Sequence, residues 1–338
     1  MREVSEAINP IILDSLDDVR FENIELHEFL KDISPFKKRV EKKEKLRPFL
    51  MRLVYNIVGG HENEEIDYAC AAAELLNVST YIFNAVFDGK GKPKTEQDIN
   101  NHIIAGMLIR NKASEVLRKK QIGLEYLLEE IDRDVYIGQY ADLNQIKYGK
   151  KCYKNMDDFL DDYIDRCYKF TGRFMENIAK IGAILGKASE EQIEILGEYG
   201  KNMGIVVQIV NDIGDFVPPI EGNYDVEKIY QDQFSDMKQG KLTLPVYYVL
   251  TYGSDEDKQI LDKMMSNKHA SNGELIEVTK VLVKSGAIDY AKKIAGRYAK
   301  KAKKCLNSFE RCESRDYLDM MTEMWRTNKY LANLRKYR

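Results

Sequence analysis

The residues with the clearest chemistry lie in VVQIVNDIGD, positions 206–215. Asn211 and Asp215 stand four residues apart with Asp212 beside the first. In a helix, positions four apart share a face. Oxygen ligands stacked on one face suit a hard cation such as Mg2+, which keeps waters and substrate phosphates as its other ligands. A second stretch, SDMKQGKLTLP, follows at 235–245. It offers the carboxylate of Asp236, a turn loosened by Gly240, and Lys241, a cation able to meet a diphosphate. An acidic helix face followed by a basic turn is the layout of a metal-diphosphate site. Each residue alone reads as a solvated surface group; their order along the chain favours the site.

Elements that position such a site are helical. Seven prolines interrupt 338 residues, and Pro93, Pro218, Pro219 and Pro245 sit beside the motifs, where loops meet helices. Apolar residues recur at three-and-four spacing, as in Tyr68, Ala72, Leu75, Leu76, Ile82 and Phe83, and no period-two strand pattern bounded by hairpin turns is seen. The spacing predicts one all-α domain over 1–338, of ten or more helices at ordinary helix lengths. The segment 222–236 is polar and reads as a loop or short helix. From about Ile260 charged amphipathic helices follow, and Lys300, Lys301, Lys303 and Lys304 read as a solvated face.

Composition bounds the rest. Apolar residues make up 44% of the chain, enough for a sizeable core, and net charge is −3 from 52 basic and 55 acidic side chains. That balance predicts no nucleic-acid surface. Five cysteines without a CxxC pair read as free thiols of a reducing compartment, so a cytoplasmic protein is expected. Acids inside the first apolar run exclude a signal peptide, and no apolar run of about 18 residues predicts a transmembrane segment. The four histidines show no metal-ligand spacing.

With these residues in view, the chain resembles the trans-isoprenyl diphosphate synthases of the polyprenyl synthetase family from about Leu46 onward. VVQIVNDIGD resembles the second aspartate-rich motif, FQxxDDxxD. SDMKQGKLTLP resembles KDxxxGKxTLP, and EYGKNMGIVVQ at 198–208 the small-residue lead-in that ends on Gln208. GQYADL at 138–143 resembles GQxxDL, and KLRPFL at 45–50 resembles GKRxRPxL. Five motifs in the right order make the match specific. The resemblance implies an all-α isoprenoid synthase bundle around a deep apolar cavity, with two acidic helix faces opposed across its mouth. It implies Mg2+ as cofactor, an allylic isoprenyl diphosphate as substrate, and a homodimer. Mg2+ and basic donors would stabilise the charge that develops on the departing diphosphate, and a dry pocket would keep water from the allylic cation.

The departures are as informative. Where the family has DDxxD, this chain reads Asn84, Ala85 and Asp88. The implied metal set is Asn84, Asp88, Asn211, Asp212 and Asp215, with three carboxylates in place of six, so metal is expected to bind weakly and mainly together with the diphosphate. The catalytic set is Asp88, Asp212, Asp215 and Lys241. The resemblance assigns Arg47, Ser79, Thr80, Lys169, Thr171, Gln208 and Asp236 to substrate binding. On the acceptor side, Glu44 stands where a lysine is expected, Asn77 replaces a His or Gln, and Lys90, Lys92 and Lys94 replace an Arg pair. A carboxylate facing a diphosphate is repulsive. Lys169 and Thr171, adjacent in the family, are separated here by Phe170; Lys169 either reaches the site with altered geometry or points away. Small residues at 79 and 80 imply a deep pocket, unless Tyr81 or Phe83 closes it, and a C15–C20 allylic substrate.

Three functions fit. The motif losses best match a terpene synthase or cyclase on this fold, which ionises the allylic diphosphate without a second diphosphate substrate. An isoprenyl diphosphate synthase or other prenyltransferase, with Arg47 and the lysine loop rebuilding the acceptor site, is the alternative. A weak or non-catalytic regulatory subunit is the third.

Overall fold

Scarce prolines and helical apolar spacing have the expected result: the computed structural model is helical over nearly all its described residues, which are 1–17, 20–21, 24–25, 29–30, 33, 36, 45–61, 63–87, 95–148, 153–217, 233–324 and 334. The helices are α1 (Arg2–Asp17), α2 (Leu46–Ile57), α3 (Glu64–Phe87), α4 (Glu96–Lys119), α5 (Glu125–Tyr148), α6 (Met156–Cys167), α7 (Arg173–Leu185), α8 (Glu190–Gly214), α9 (Ser235–Gln239), α10 (Leu244–Tyr252), α11 (Asp255–Met264), α12 (Asn272–Lys284), α13 (Ala287–Cys305) and α14 (Glu313–Met324). A π-helical turn, Tyr168–Gly172, separates α6 from α7. Two short antiparallel strands, β1 (Arg20–Phe21) and β2 (Ile24–Glu25), pair Phe21 with Ile24 and are a minor departure from the expected pattern. The expected Asp88, Glu44, Lys90, Lys92, Lys94 and Trp325 lie outside the described residues.

The chain divides into two compact units. The first comprises Met1–Asp132, Met175–Glu198 and Ser308–Leu318. Its central helix is α3. Glu64, Glu65 and Asp67 complement the positive helix start, and the Asn63 side-chain Oδ1 accepts the Glu65 N–H at 3.0 Å. Residues 69–79 are buried without interruption. Four of them are alanines, small enough for α1 and α4 to pack closely along the helix. By length and composition α3 could span a membrane, but 67% of its apolar window is buried inside the protein. It is a core helix, which the sequence reading did not single out. α4 begins at a capping box formed by Thr95 and Asp98. Phe83 lies over Gly106 of α4 so closely that a Cβ there would sit 2.8 Å from the ring.

The second unit comprises Arg133–Phe174, Tyr199–Asn307 and Asp319–Arg338. Its core joins α6, α8 and α10–α13. Phe159 stacks on Tyr247 with centroids 3.9 Å apart. α13 buries Ile288, Ala291, Ile294, Ala295, Ala299 and Ala302 on one face and exposes Lys300, Lys301, Lys303 and Lys304 on the other. Lys303 pairs with Asp319 at 3.0 Å, so that cluster is the solvated face expected.

Candidate active site

The polar residues of the second unit converge on the C-terminal end of α8. Its approach to the π-helical turn is set by Gly204: a Cβ there would lie 2.5 Å from the Thr171 carbonyl oxygen, so only glycine lets the two backbones meet. The small-residue lead-in to the motif therefore has a packing reason. The contact brings Thr171 beside Gln208, whose Oε1 accepts the threonine hydroxyl at 2.6 Å. Gln208 Nε2 in turn donates to Asp212 Oδ1 at 2.8 Å, and the Tyr163 hydroxyl donates to Asp212 Oδ2 at 2.6 Å. Burial pushes the Asp212 carboxyl up to about 7, with Asp236 adding repulsion, while Tyr163 and Gln208 pull it down.

Asp215 has a different task. Its Oδ1 accepts the backbone N–H and the hydroxyl of Ser235, each at 3.2 Å. Its Oδ2 accepts the Asp236 N–H at 3.0 Å, and its carbonyl accepts the Phe234 N–H at 2.8 Å. It thus caps the short helix α9. At the far end of α9, Gly240 adopts φ +83°, the left-handed conformation that turns the chain out of a helix. That turn delivers Lys241, whose Nζ lies 3.5 Å from Asp142 and 3.6 Å from Asp236.

Asp142, from the GQYADL segment on α5, completes the cluster. Arg166 of α6 donates from Nη1 to Asp142 Oδ1 and from Nε to Asp162 Oδ2, both at 2.9 Å, and from Nη2 to the Leu242 carbonyl at 3.4 Å. Burial works against the charged guanidinium, but Asp142 and Asp162 outweigh it and push its pKa up. The Asp142 carboxyl is itself raised by burial, against the pull of Lys241 and Arg166.

Sequence reasoning missed Asp142, Arg166 and Tyr163 as site residues. GQYADL was the available signal for Asp142; Arg166 and Tyr163 sit in an acid-rich helix stretch, DDFLDDYIDRC, that resembles a solvated face. Other expected residues are placed as follows. Asn211 is exposed at the end of α8. Thr171 and Gln208 are brought to Asp212. Lys169 instead pairs with Asp165, four residues back on the helix.

In the first unit, Ser79 and Thr80 are committed to their own helix. Their hydroxyls donate to the Leu76 and Asn77 carbonyls, each at 2.7 Å. Asn77 is buried and donates from Nδ2 to Glu74 Oε2 at 3.1 Å. Arg47, in the first turn of α2, and Asn84, near the end of α3, are both half-buried.

Among the described residues no group of three His, Cys, Asp or Glu side chains is gathered for a metal ion. The oxygen donors of Asn211, Asp212 and Asp215 nevertheless suit a hard cation. Each Asp212 oxygen accepts one hydrogen bond and retains a lone pair, whereas Asp215 Oδ1 already accepts two, so these residues fit Mg2+ only as a partial set that needs further ligands.

The described helices have the all-α isoprenoid synthase fold. The sequence matches the polyprenyl synthetase family over residues 35–282, and the chain belongs to that family. Its relatives include the geranylgeranyl diphosphate synthase of Sulfolobus acidocaldarius, 28% identical over 78% of this chain and 80% of the relative. Another is the short chain isoprenyl diphosphate synthase of Methanocaldococcus jannaschii, 28% identical over 74% of each chain. Among solved structures, polyprenyl synthase from Caulobacter crescentus, in complex with calcium and isoprenyl diphosphate, shares the fold with a TM-score of 0.78 at 18% identity, over 96% of this chain and 94% of that one. Geranylgeranyl pyrophosphate synthetase from Pyrococcus horikoshii does so with a TM-score of 0.75 at 24% identity, over 96% of both.

These relatives overturn the terpene synthase expectation. They are named for making isoprenyl diphosphates, not for cyclising them. That expectation rested on changes at 44, 77 and 88–94; 44 and 88–94 lie outside the described residues, Asn77 is buried against Glu74, and unusual side chains at an acceptor site do not by themselves imply that the acceptor is gone.

Proposed function

We propose that this protein is a short-chain isoprenyl diphosphate synthase, which joins an allylic isoprenyl diphosphate to isopentenyl diphosphate. The observation that carries the reading is Lys241. It is held by a glycine turn between Asp142 and Asp236, in a chain whose relatives make such diphosphates. In the reaction, the allylic C–O bond breaks and its electron pair leaves with the diphosphate. The alkene of isopentenyl diphosphate attacks the allylic carbon, and a proton is lost as the new double bond forms.

The side chains of the second unit have separable parts in this. Lys241 meets charge developing on the departing diphosphate. Its pairings with Asp142 and Asp236 are longer than a tight charge-assisted hydrogen bond. Gln208 and Thr171 form a hydrogen-bonded line to Asp212 and fix its orientation. Asp215 holds α9, and with it the turn that aims Lys241. Asn211, Asp212 and Asp215 would hold Mg2+ from the second unit, together with oxygens of the substrate diphosphate. When bound, the ion supplies Lewis-acid stabilisation of the leaving diphosphate.

We read 1–338 as a single domain, because the boundaries between the two units fall inside helical segments rather than linkers. A soluble cytoplasmic homodimer suits the chain: α4 exposes Ile99, Ile103, Ile104 and Met107 at helical spacing, an apolar stripe that a second copy would cover. Light scattering that shows only monomer would remove the dimer.

The test of function is incubation of the purified chain with C5, C10 or C15 allylic diphosphate, isopentenyl diphosphate and Mg2+, followed by mass spectrometry. Elongated prenyl diphosphates, up to about C20 by analogy with the relatives, are expected. No elongation, with or without release of hydrocarbons or alcohols, would refute the reading.

A further inference from the structure

Arg166 stands out among the charged groups of the second unit because it has three acceptors on three different segments. Its Nε, Nη1 and Nη2 each point at a different oxygen, and Arg166 and Asp142 are both less than 10% exposed. A planar guanidinium can serve such a fork; an ammonium cannot. The partners differ in tightness. Arg166 holds Asp142 Oδ1 at 2.9 Å, whereas Lys241 approaches Asp142 Oδ2 only to 3.5 Å. The Leu242 carbonyl, which Arg166 also holds, belongs to the residue that follows Lys241.

We propose that Arg166 is a positioning residue for Lys241, claiming the charge of Asp142 so that the lysine stays available to a diphosphate. Asp142 is a buried carboxylate, and such a group seeks a cation. With Arg166 present, that demand is met from one side and Lys241 stays 3.5 Å from the carboxylate. With Arg166 absent, Lys241 is the remaining cation beside Asp142 and is drawn into a tight pair, away from substrate. The bond to the Leu242 carbonyl adds a second hold on the turn that carries Lys241. The proposal rests on the reading of Lys241 as a diphosphate-facing group. It assigns Arg166 an effect on diphosphate affinity with no contact to the diphosphate.

The experiment is titration calorimetry of the full chain with inorganic pyrophosphate and Mg2+. It compares the natural sequence with Arg166→Met, Arg166→Lys, Asp142→Asn and the double variant Arg166→Met/Asp142→Asn. Arg166→Met should weaken pyrophosphate at least tenfold and lower kcat/KM for the allylic diphosphate by at least the same factor. Arg166→Lys, which keeps the charge and loses the fork, should recover part of the loss. The double variant should return to within threefold of Asp142→Asn, because removing the carboxylate removes its claim on Lys241. Unchanged affinity in Arg166→Met, or a folded double variant as weak as Arg166→Met, would overturn the proposal. If Arg166→Met does not fold, Arg166→Lys and the double variant carry the same comparison. The two readings fail separately: pyrophosphate coupling without chain elongation leaves Arg166 standing and removes the prenyl transfer, and elongation without coupling does the reverse.

Discussion

Ser79 and Thr80 in the first unit and the Asp142–Arg166–Lys241 cluster in the second satisfy their polar groups in opposite ways. The two hydroxyls on α3 donate to carbonyls three residues back in the same helix. Those hydrogen bonds need no other element. In the cluster, each charged group is satisfied by a group from a different segment: Arg166 by Asp142 and the Leu242 carbonyl, Lys241 by Asp142 and Asp236. Helix-local hydrogen bonds form wherever the helix forms. Hydrogen bonds between segments hold only while all partners are in place, and removing one leaves a buried charge uncompensated.

The strongest challenge to this contrast is Lys241→Ala. It should lower kcat/KM for the allylic diphosphate by roughly 10²–10³, about 3–4 kcal/mol of transition-state stabilisation, as measured by steady-state kinetics; a loss under threefold would remove Lys241 from the site. Asp212 offers a pH test. Its folded pKa of about 7 lies above the ordinary 3.8, so between those values the folded chain holds a proton that the unfolded chain has lost. Stability should therefore fall as pH rises from about 4 to about 7 and level off above. Denaturant titrations across that range should show the slope, and Asp212→Asn should flatten it.

Asp215→Ala removes the cap of α9, a loss of about 1–2 kcal/mol of stability that thermal melting would register, together with weaker diphosphate binding as the Lys241 turn loosens. An unchanged melting curve would mean that Asp215 does not hold that helix. At the small end, Thr80→Ala should change stability by less than about 0.5 kcal/mol. A loss several times larger would show that this hydroxyl serves more than its own helix and would erase the contrast.

Helical class was legible from apolar spacing and scarce prolines, because periodicity is a local property that each segment carries by itself. The second motif and Lys241 were legible for the same reason: their residues are close in sequence, and a helix face or a glycine turn brings them together. Arg166 was not. It lies in a stretch crowded with aspartates, and pairing with Asp162 four residues back would suit an exposed helix equally well. Only its acceptors 24 and 76 residues away distinguish it from a surface arginine.

The sequence by itself determined the all-α architecture, the family, and the presence of a carboxylate–lysine pair of motifs. Tertiary structure decided what each carboxylate does: Asp212 is buried against Tyr163 and Gln208, Asp215 caps a short helix, and Asp142 is shared between Arg166 and Lys241. The reason is that a carboxylate's charge state and partners depend on burial and on donors from distant segments, neither of which is written in the spacing of nearby residues.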